Sequence, residues 1–453
     1  MMFIKYLTNL LTLKTLQTRI SYLLLVLILF LGLSLRFNNL FIWPRQGATF
    51  DEYAWTWQGI SLIKNHVPTS WSPHPQYKNF KDVIYQKTHF RMVTPFLEHP
   101  PVFGLFAGSF AILNGVQGIY DLEFYDIRPL ALILGFLSLG LVFLLVKEIY
   151  DQKTALLASL LYATIPTVVI GSRIVQNENF FIPFWLLSLF LISKFIKTKN
   201  PWLRNLAALI CGLLILAKIP WIAGALSIVI IFLALKKYID LFKFLAIVVP
   251  IGLLYFVYGF YFDRDLFLSL LSLQAQRYDL TFNSIFALFQ KPYLVDRFYT
   301  DGWIYFGWFS MILLFIKDFK KNLIVIAAFL AYFLIFLSGI PDEAGHGWYR
   351  YPFYPFLIIS TAIFLKDHFL KNWLLTFFFL VFVGTSLFQL TWATVFGFSY
   401  LIFRISIIGW SISLLPLFIS KKPVIKLATF MSLFWLGSFI LMNIWSVFLY
   451  NEQ

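Results

Sequence analysis

Apolar positions dominate the chain in runs of roughly 15 to 25 residues, close to the ~20 that a bilayer-spanning helix needs. The runs fall at 20–36, 129–146, 154–171, 179–195, 203–218, 220–235, 242–260, 303–316, 322–340, 352–366, 372–391, 403–419 and 424–447. Strand-type alternation is weak throughout, so the pattern predicts a helical bundle rather than a barrel. The expected fold class is an all-α polytopic membrane protein with about 11–13 transmembrane helices. Segment 101–118, "PVFGLFAGSFAILNGVQG", is apolar enough to cross, and whether it does sets the orientation of everything after it.

Charge resolves that ambiguity. With 101–118 laid along the surface, 20 of the 36 basic residues and only five of the acids fall on one face, which then carries the whole formal charge of +15. The opposite face balances to zero. Lys and Arg concentrate in cytoplasmic loops, so 101–118 is expected to be juxtamembrane and the N-terminus cytoplasmic. The basic character thus reports topology and contact with anionic membrane lipids, and gives no sign of nucleic acid. The expected location is the plasma membrane, multi-pass.

Composition agrees with the pattern. The chain is 60% hydrophobic and 13% charged, with a mean hydropathy of +0.79. A soluble domain averages about 25% charged residues. The sole cysteine, Cys211, excludes an intramolecular disulfide. The first span follows Lys5, Lys14 and Arg19 and has no small-residue cleavage site, so it reads as a retained signal anchor.

Two long outward segments are expected, 37–128 and 261–302, and a short one, "PDEAGHGWYRY", at 341–351. The first is rich in aromatics and is expected to pack as amphipathic helices on the membrane surface. No C-terminal soluble domain is expected, and the chain reads as one transmembrane domain over 1–453. Within the first segment, "QGATFDEYAWTWQ" sets Asp51 beside Glu52 near lipid, where unpaired carboxylates are expensive. A helix start capped by Thr49 or Asp51 is the plainer explanation. Yet Arg128, Arg173, Lys218 and Arg350 all stand at outward ends of spans, where cations are disfavoured. A phosphate ligand explains them, because Arg offers forked donors and Lys a compact charge. Ordinary pairing, such as Arg173 with Glu178, or snorkelling of Arg128, competes with that reading. His74 and His89 read as loop residues. A metal set of Asp51, Glu98, His99 and His346 matches no compact ligand spacing, and the sequence requires no cofactor.

The acidic pair after the first span, "HPP" at His99–Pro101, the Arg-Pro of Arg128–Pro129 and "RYPFYP" from Arg350 resemble the GT-C membrane glycosyltransferases. The branch they resemble uses polyprenyl-phosphate sugars and includes the protein O-mannosyltransferases and the lipid A aminoarabinose transferases. The resemblance implies a GT-C-like bundle with juxtamembrane helices in its first extracytoplasmic loop. It also implies an inverting transfer from polyprenyl phosphate to a hydroxyl of a protein, lipid or glycan. Asp51 then is the base with Glu52 as its neighbour, and Glu98, His99, Arg128, Arg173, Glu178, Lys218, His346, Arg350 and Tyr351 bind substrate. Where the aminoarabinose transferases carry Lys before Pro-Pro, this chain has His99. The rival is a transporter or flippase of a lipid-linked or small polar solute, which more often shows internal repeats and midplane polar residues.

Overall fold

The computed structural model describes residues 2–276, 288, 301–339, 346–388, 397 and 399–452, with side chains from Arg19 onward. Most of the expected second long outward segment lies outside the described residues, as do Asp342 and Glu343.

Helix α1 (Met2–Phe37) leads through an irregular connection to α2 (Asp51–Asn65). Asp51 and Glu52 occupy the first turn of α2, where the helix dipole favours negative charge, and His66 ends it in the left-handed region at φ 59°. A small antiparallel sheet follows: β1 (Ser70–Trp71), β2 (Phe80–Tyr85) and β3 (Thr88–Val93), in the order β1–β3–β2. The register pairs Tyr85 with Thr88 across a two-residue turn, Gln86–Lys87, whose φ values of 48° and 65° suit a tight hairpin. This sheet is the departure from the expected helical surface layer. Its inward side, Phe90 and Met92, covers α2, with the Phe90 ring edge-on to Trp57 at 5.1 Å.

Helix α3 (Val102–Leu113) comes next and has only twelve residues, too few to cross. It packs along α2 at backbone contact: a Cβ on Gly59 would lie 1.8 Å from the Gly104 carbonyl oxygen. At 15 and 12 residues, both helices are shorter than a full bilayer crossing.

The bundle proper contains α4 (Phe124–Ile149), α5 (Gln152–Thr164), α6 (Pro166–Gly171), α7 (Asn177–Thr198), α8 (Pro201–Ile215), α9 (Ile222–Ala234) and α10 (Tyr238–Gln276). It continues with α11 (Gly302–Lys317), α12 (Phe319–Gly339), α13 (Tyr354–Asp367), α14 (Trp373–Thr385), α15 (Tyr400–Ser411), α16 (Leu415–Phe418) and α17 (Lys422–Leu449). Among the described residues, seven helices are long and apolar enough to cross a membrane. Several other expected spans are shorter than the apolar run suggested. Pro166 has no N–H to continue α5, so 154–171 is two helices, α5 and α6. Residues 203–235 form α8 and α9 around a linker at Lys218–Trp221. The 242–260 span runs on to Gln276 in α10, with a non-helical break at Asp263. Large apolar side chains such as Phe30, Val257 and Phe430 stay 63–69% exposed on the bundle surface, which suits a lipid solvent.

Candidate active site

The connection between α1 and α2 has little regular structure of its own, and buried arginines hold it. Arg173 donates to the carbonyls of Leu35 at 2.8 Å and Trp43 at 3.4 Å. Arg128 donates to Leu40 at 2.9 Å and to Glu52 at 3.2 Å. Glu52 is buried and also accepts the N–H of Val175 at 3.0 Å. A charge inside the protein survives only when paired and hydrogen-bonded, and this pair meets both conditions. Glu52 therefore anchors the start of α2.

Its neighbour points elsewhere. Asp51 is partly exposed and lines a cavity of ≈ 490 Å³. Gln176, at the N-terminus of α7, donates to Asp51 Oδ2 at 3.0 Å and to Thr49 Oγ1 at 3.1 Å. The indole N–H of Trp55 reaches Gln176 in turn at 3.4 Å. One carboxylate oxygen is thus oriented by a side chain that is itself held.

Remote segments supply the remaining walls of the cavity. The sheet side contributes Trp71 and His74, the approach to α3 contributes Phe96, Glu98 and His99, and the α8–α9 linker contributes Lys218. Gln274 of α10 and the 346–349 segment, with His346 and Trp348, close it. The ring of His99 lies 4.6 Å from Trp55, and that of His346 lies parallel to Trp348 at 4.4 Å. Such flat aromatic surface suits the C–H faces of a sugar.

Lys218 is the basic residue in this wall. Its ammonium donates to the buried Glu178 at 2.8 Å and sits 4.8 Å from the Tyr349 ring. Burial opposes its charge, but Glu178, Tyr349 and Asp51 together outweigh burial, so the Lys218 pKa lies above its ordinary value. The ammonium therefore stays charged in a partly apolar wall, within the field of Asp51.

The structure divides the residues singled out in the sequence. Asp51, Glu98, His99, Lys218 and His346 share the cavity. Glu52, Arg128 and Arg173 lie behind it, with the arginines turned to backbone carbonyls rather than to the open space. Glu178 stands behind Lys218. Arg350 lines a separate narrow cleft with Tyr305, Trp308 and Tyr354. Tyr351 is buried so tightly against α6 that a Cβ on Gly171 would lie 2.7 Å from its ring. Among the described residues, no three His, Cys, Asp or Glu side chains gather to hold a metal, so the set Asp51, Glu98, His99 and His346 is not assembled.

Two cavity features escaped the sequence. His74, read as a loop residue, faces the cavity with Nε2 3.4 Å from Glu98 Oε2. Gln176 is an uncharged residue among the charges of "GSRIVQNENFF", and its place just before an apolar run is the one signal, that of a helix start, that marks it.

Residues 98–262 match the family described as dolichyl-phosphate-mannose-protein mannosyltransferase. A search of curated proteins found no match. Among solved structures, ArnT from Cupriavidus metallidurans bound to undecaprenyl phosphate is similar at 14% identity and TM-score 0.54, over 93% of this chain and 77% of that one. The oligosaccharyltransferase AglB from Archaeoglobus fulgidus, in complex with an inhibitory peptide and a dolichol-phosphate, is similar at 14% identity and TM-score 0.51. That likeness covers 92% of this chain and 56% of AglB. The family matched over these residues is one of transferases, not of solute carriers. The chain thus has the GT-C-like fold that it shares with ArnT and AglB, and within that fold residues 98–262 match the dolichyl-phosphate-mannose-protein mannosyltransferase family.

Proposed function

We propose that the chain moves a sugar from a polyprenyl-phosphate donor to a hydroxyl acceptor with inversion at the anomeric carbon, and that Asp51 is the general base. The observation that carries this reading is the sharing of one cavity by Asp51 and Lys218 while Glu52 is sequestered on Arg128. Phosphate leaves without needing a proton, so the chemistry requires one base and one cation rather than two opposed carboxylates. The acceptor oxygen bonds to the anomeric carbon as its proton passes to Asp51. The bond from that carbon to the phosphate oxygen breaks, and its electron pair leaves on the phosphate. Lys218 lies where that charge grows, and electrostatic stabilisation is strongest in a site prearranged for it. Glu98, His99, His346 and the tryptophans contact the sugar.

The charge asymmetry of the sequence supports a plasma-membrane protein with a cytoplasmic N-terminus and this cavity on the extracytoplasmic side. The donor lipid is of the undecaprenyl or dolichyl phosphate type, and the acceptor is a hydroxyl of protein, lipid or glycan.

The test is to incubate purified protein in lipid with a panel of polyprenyl-phosphate sugars labelled in the sugar and with membrane extracts as acceptors. One donor is expected to give a labelled, inverted product with release of the lipid phosphate. Solute flux in proteoliposomes with no transfer from any donor would contradict the proposal.

A further inference from the structure

The wall that presents Asp51 is tied at a third point, far away in sequence. Arg45 lies between the arginine-held carbonyls and the cavity, and its N–H donates to Glu452 Oε2 at 3.0 Å. Its side-chain Nε lies 3.8 Å from the same oxygen. The Tyr450 hydroxyl donates to the other carboxylate oxygen at 2.9 Å. Tyr450 itself clusters with Ile170 and Trp43, and both Tyr450 and Glu452 are only 8% exposed. Beyond Arg45 a single turn closes through Ala48 N to Arg45 O at 3.1 Å, and the chain then lines the cavity from Gly47 to Asp51.

A backbone N–H in an irregular connection has no ladder partner, and a carboxylate is its strongest available acceptor. We infer that Glu452, oriented by Tyr450, is a positioning residue for sugar transfer: the segment after α17 clamps the cavity wall that carries Asp51. Glu452 touches no substrate and acts through Arg45. The catalytic part of this inference rests on the role proposed for Asp51, whereas the clamp itself does not.

Two readouts separate them. Cys211 is the chain's only cysteine and is buried, so an Ala48→Cys variant carries one reportable thiol on the cavity wall. In that background Glu452→Ala is expected to raise the thiol-labelling rate several-fold. In the otherwise native chain it is expected to lower kcat by about tenfold or more with little change in donor KM, as misplacement of a reacting group does. Glu452→Gln keeps an acceptor for the Arg45 N–H and is expected to stay near the parent in both. Should Glu452→Ala fail to insert, Tyr450→Phe, which removes only the orienting hydroxyl, is read the same way with smaller changes. Unchanged labelling in Glu452→Ala, or a Gln variant as impaired as Ala, overturns the clamp. An active Asp51→Asn enzyme would instead remove the proposed base and leave the labelling result to judge the clamp alone.

Discussion

Glu52 and Arg128 meet at 3.2 Å inside the protein, both side chains shut off from solvent, and the same guanidinium holds the carbonyl of Leu40. One buried charge pair thus fixes both ends of the irregular connection that delivers Asp51. Removing one partner of such a pair strands the other and costs about 3–5 kcal/mol. Arg128→Met is therefore expected to lower the thermal unfolding midpoint sharply, and Glu52→Leu added to it to restore much of the loss. A single variant as stable as the parent would show that the pair anchors nothing.

Close backbone contact between α2 and α3 gives a second prediction. Gly59 faces Gly104 and Gly108 with no room for a methyl group: a Cβ on Gly108 would lie 2.5 Å from the Gly59 carbonyl carbon. Gly59→Ala and Gly108→Ala push α2 and α3 apart and should cost about 1–3 kcal/mol or more, with loss of transfer. Gly140, within α4, has nothing within 4 Å of its would-be Cβ, and Gly140→Ala should be neutral or mildly stabilising. Equal melting behaviour of all three variants would contradict the packing.

These two relationships show where the sequence was informative. Apolar run length identified a helical bundle, because it follows from transfer energies summed over many residues, and α3 within 101–118 is indeed too short to span. The small sheet was not legible. Its strands are six residues at most, the turn is Gln86–Lys87 rather than Asn-Gly, and only β3 buries a clear face. Arg128 and Arg173 read in the sequence as phosphate-binding cations, but a cation at a span end looks the same whether it meets a ligand or a distant carbonyl. Leu35, Leu40 and Trp43 are partners that only the folded chain supplies. His74 and Glu98 are likewise brought together by the fold, with no local pattern to announce it.

Lys218 gives a third prediction. Lys218→Met alone leaves Glu178 buried and unpaired, so loss of activity would be uninformative. The double variant Lys218→Met, Glu178→Gln removes the charge from both and should insert and melt close to the parent. Its single-turnover transfer rate is expected to fall about 10²–10³-fold, the usual loss on deleting a donor aimed at developing charge. Transfer at the parental rate would take the leaving phosphate away from Lys218.

Sidedness is tested by thiol labelling in intact cells. Asn114→Cys, exposed just after α3, is expected to react with an impermeant reagent from outside, and Lys421→Cys, exposed before α17, only after permeabilisation. The reverse pattern would put the cavity in the cytosol.

The most direct measurement is sugar transfer by Asp51→Asn at matched insertion and melting temperature. Loss of the base is predicted to lower kcat by about 10²–10⁴-fold while donor KM stays close to the parent's. An Asn variant that transfers sugar at the parental rate would contradict the account.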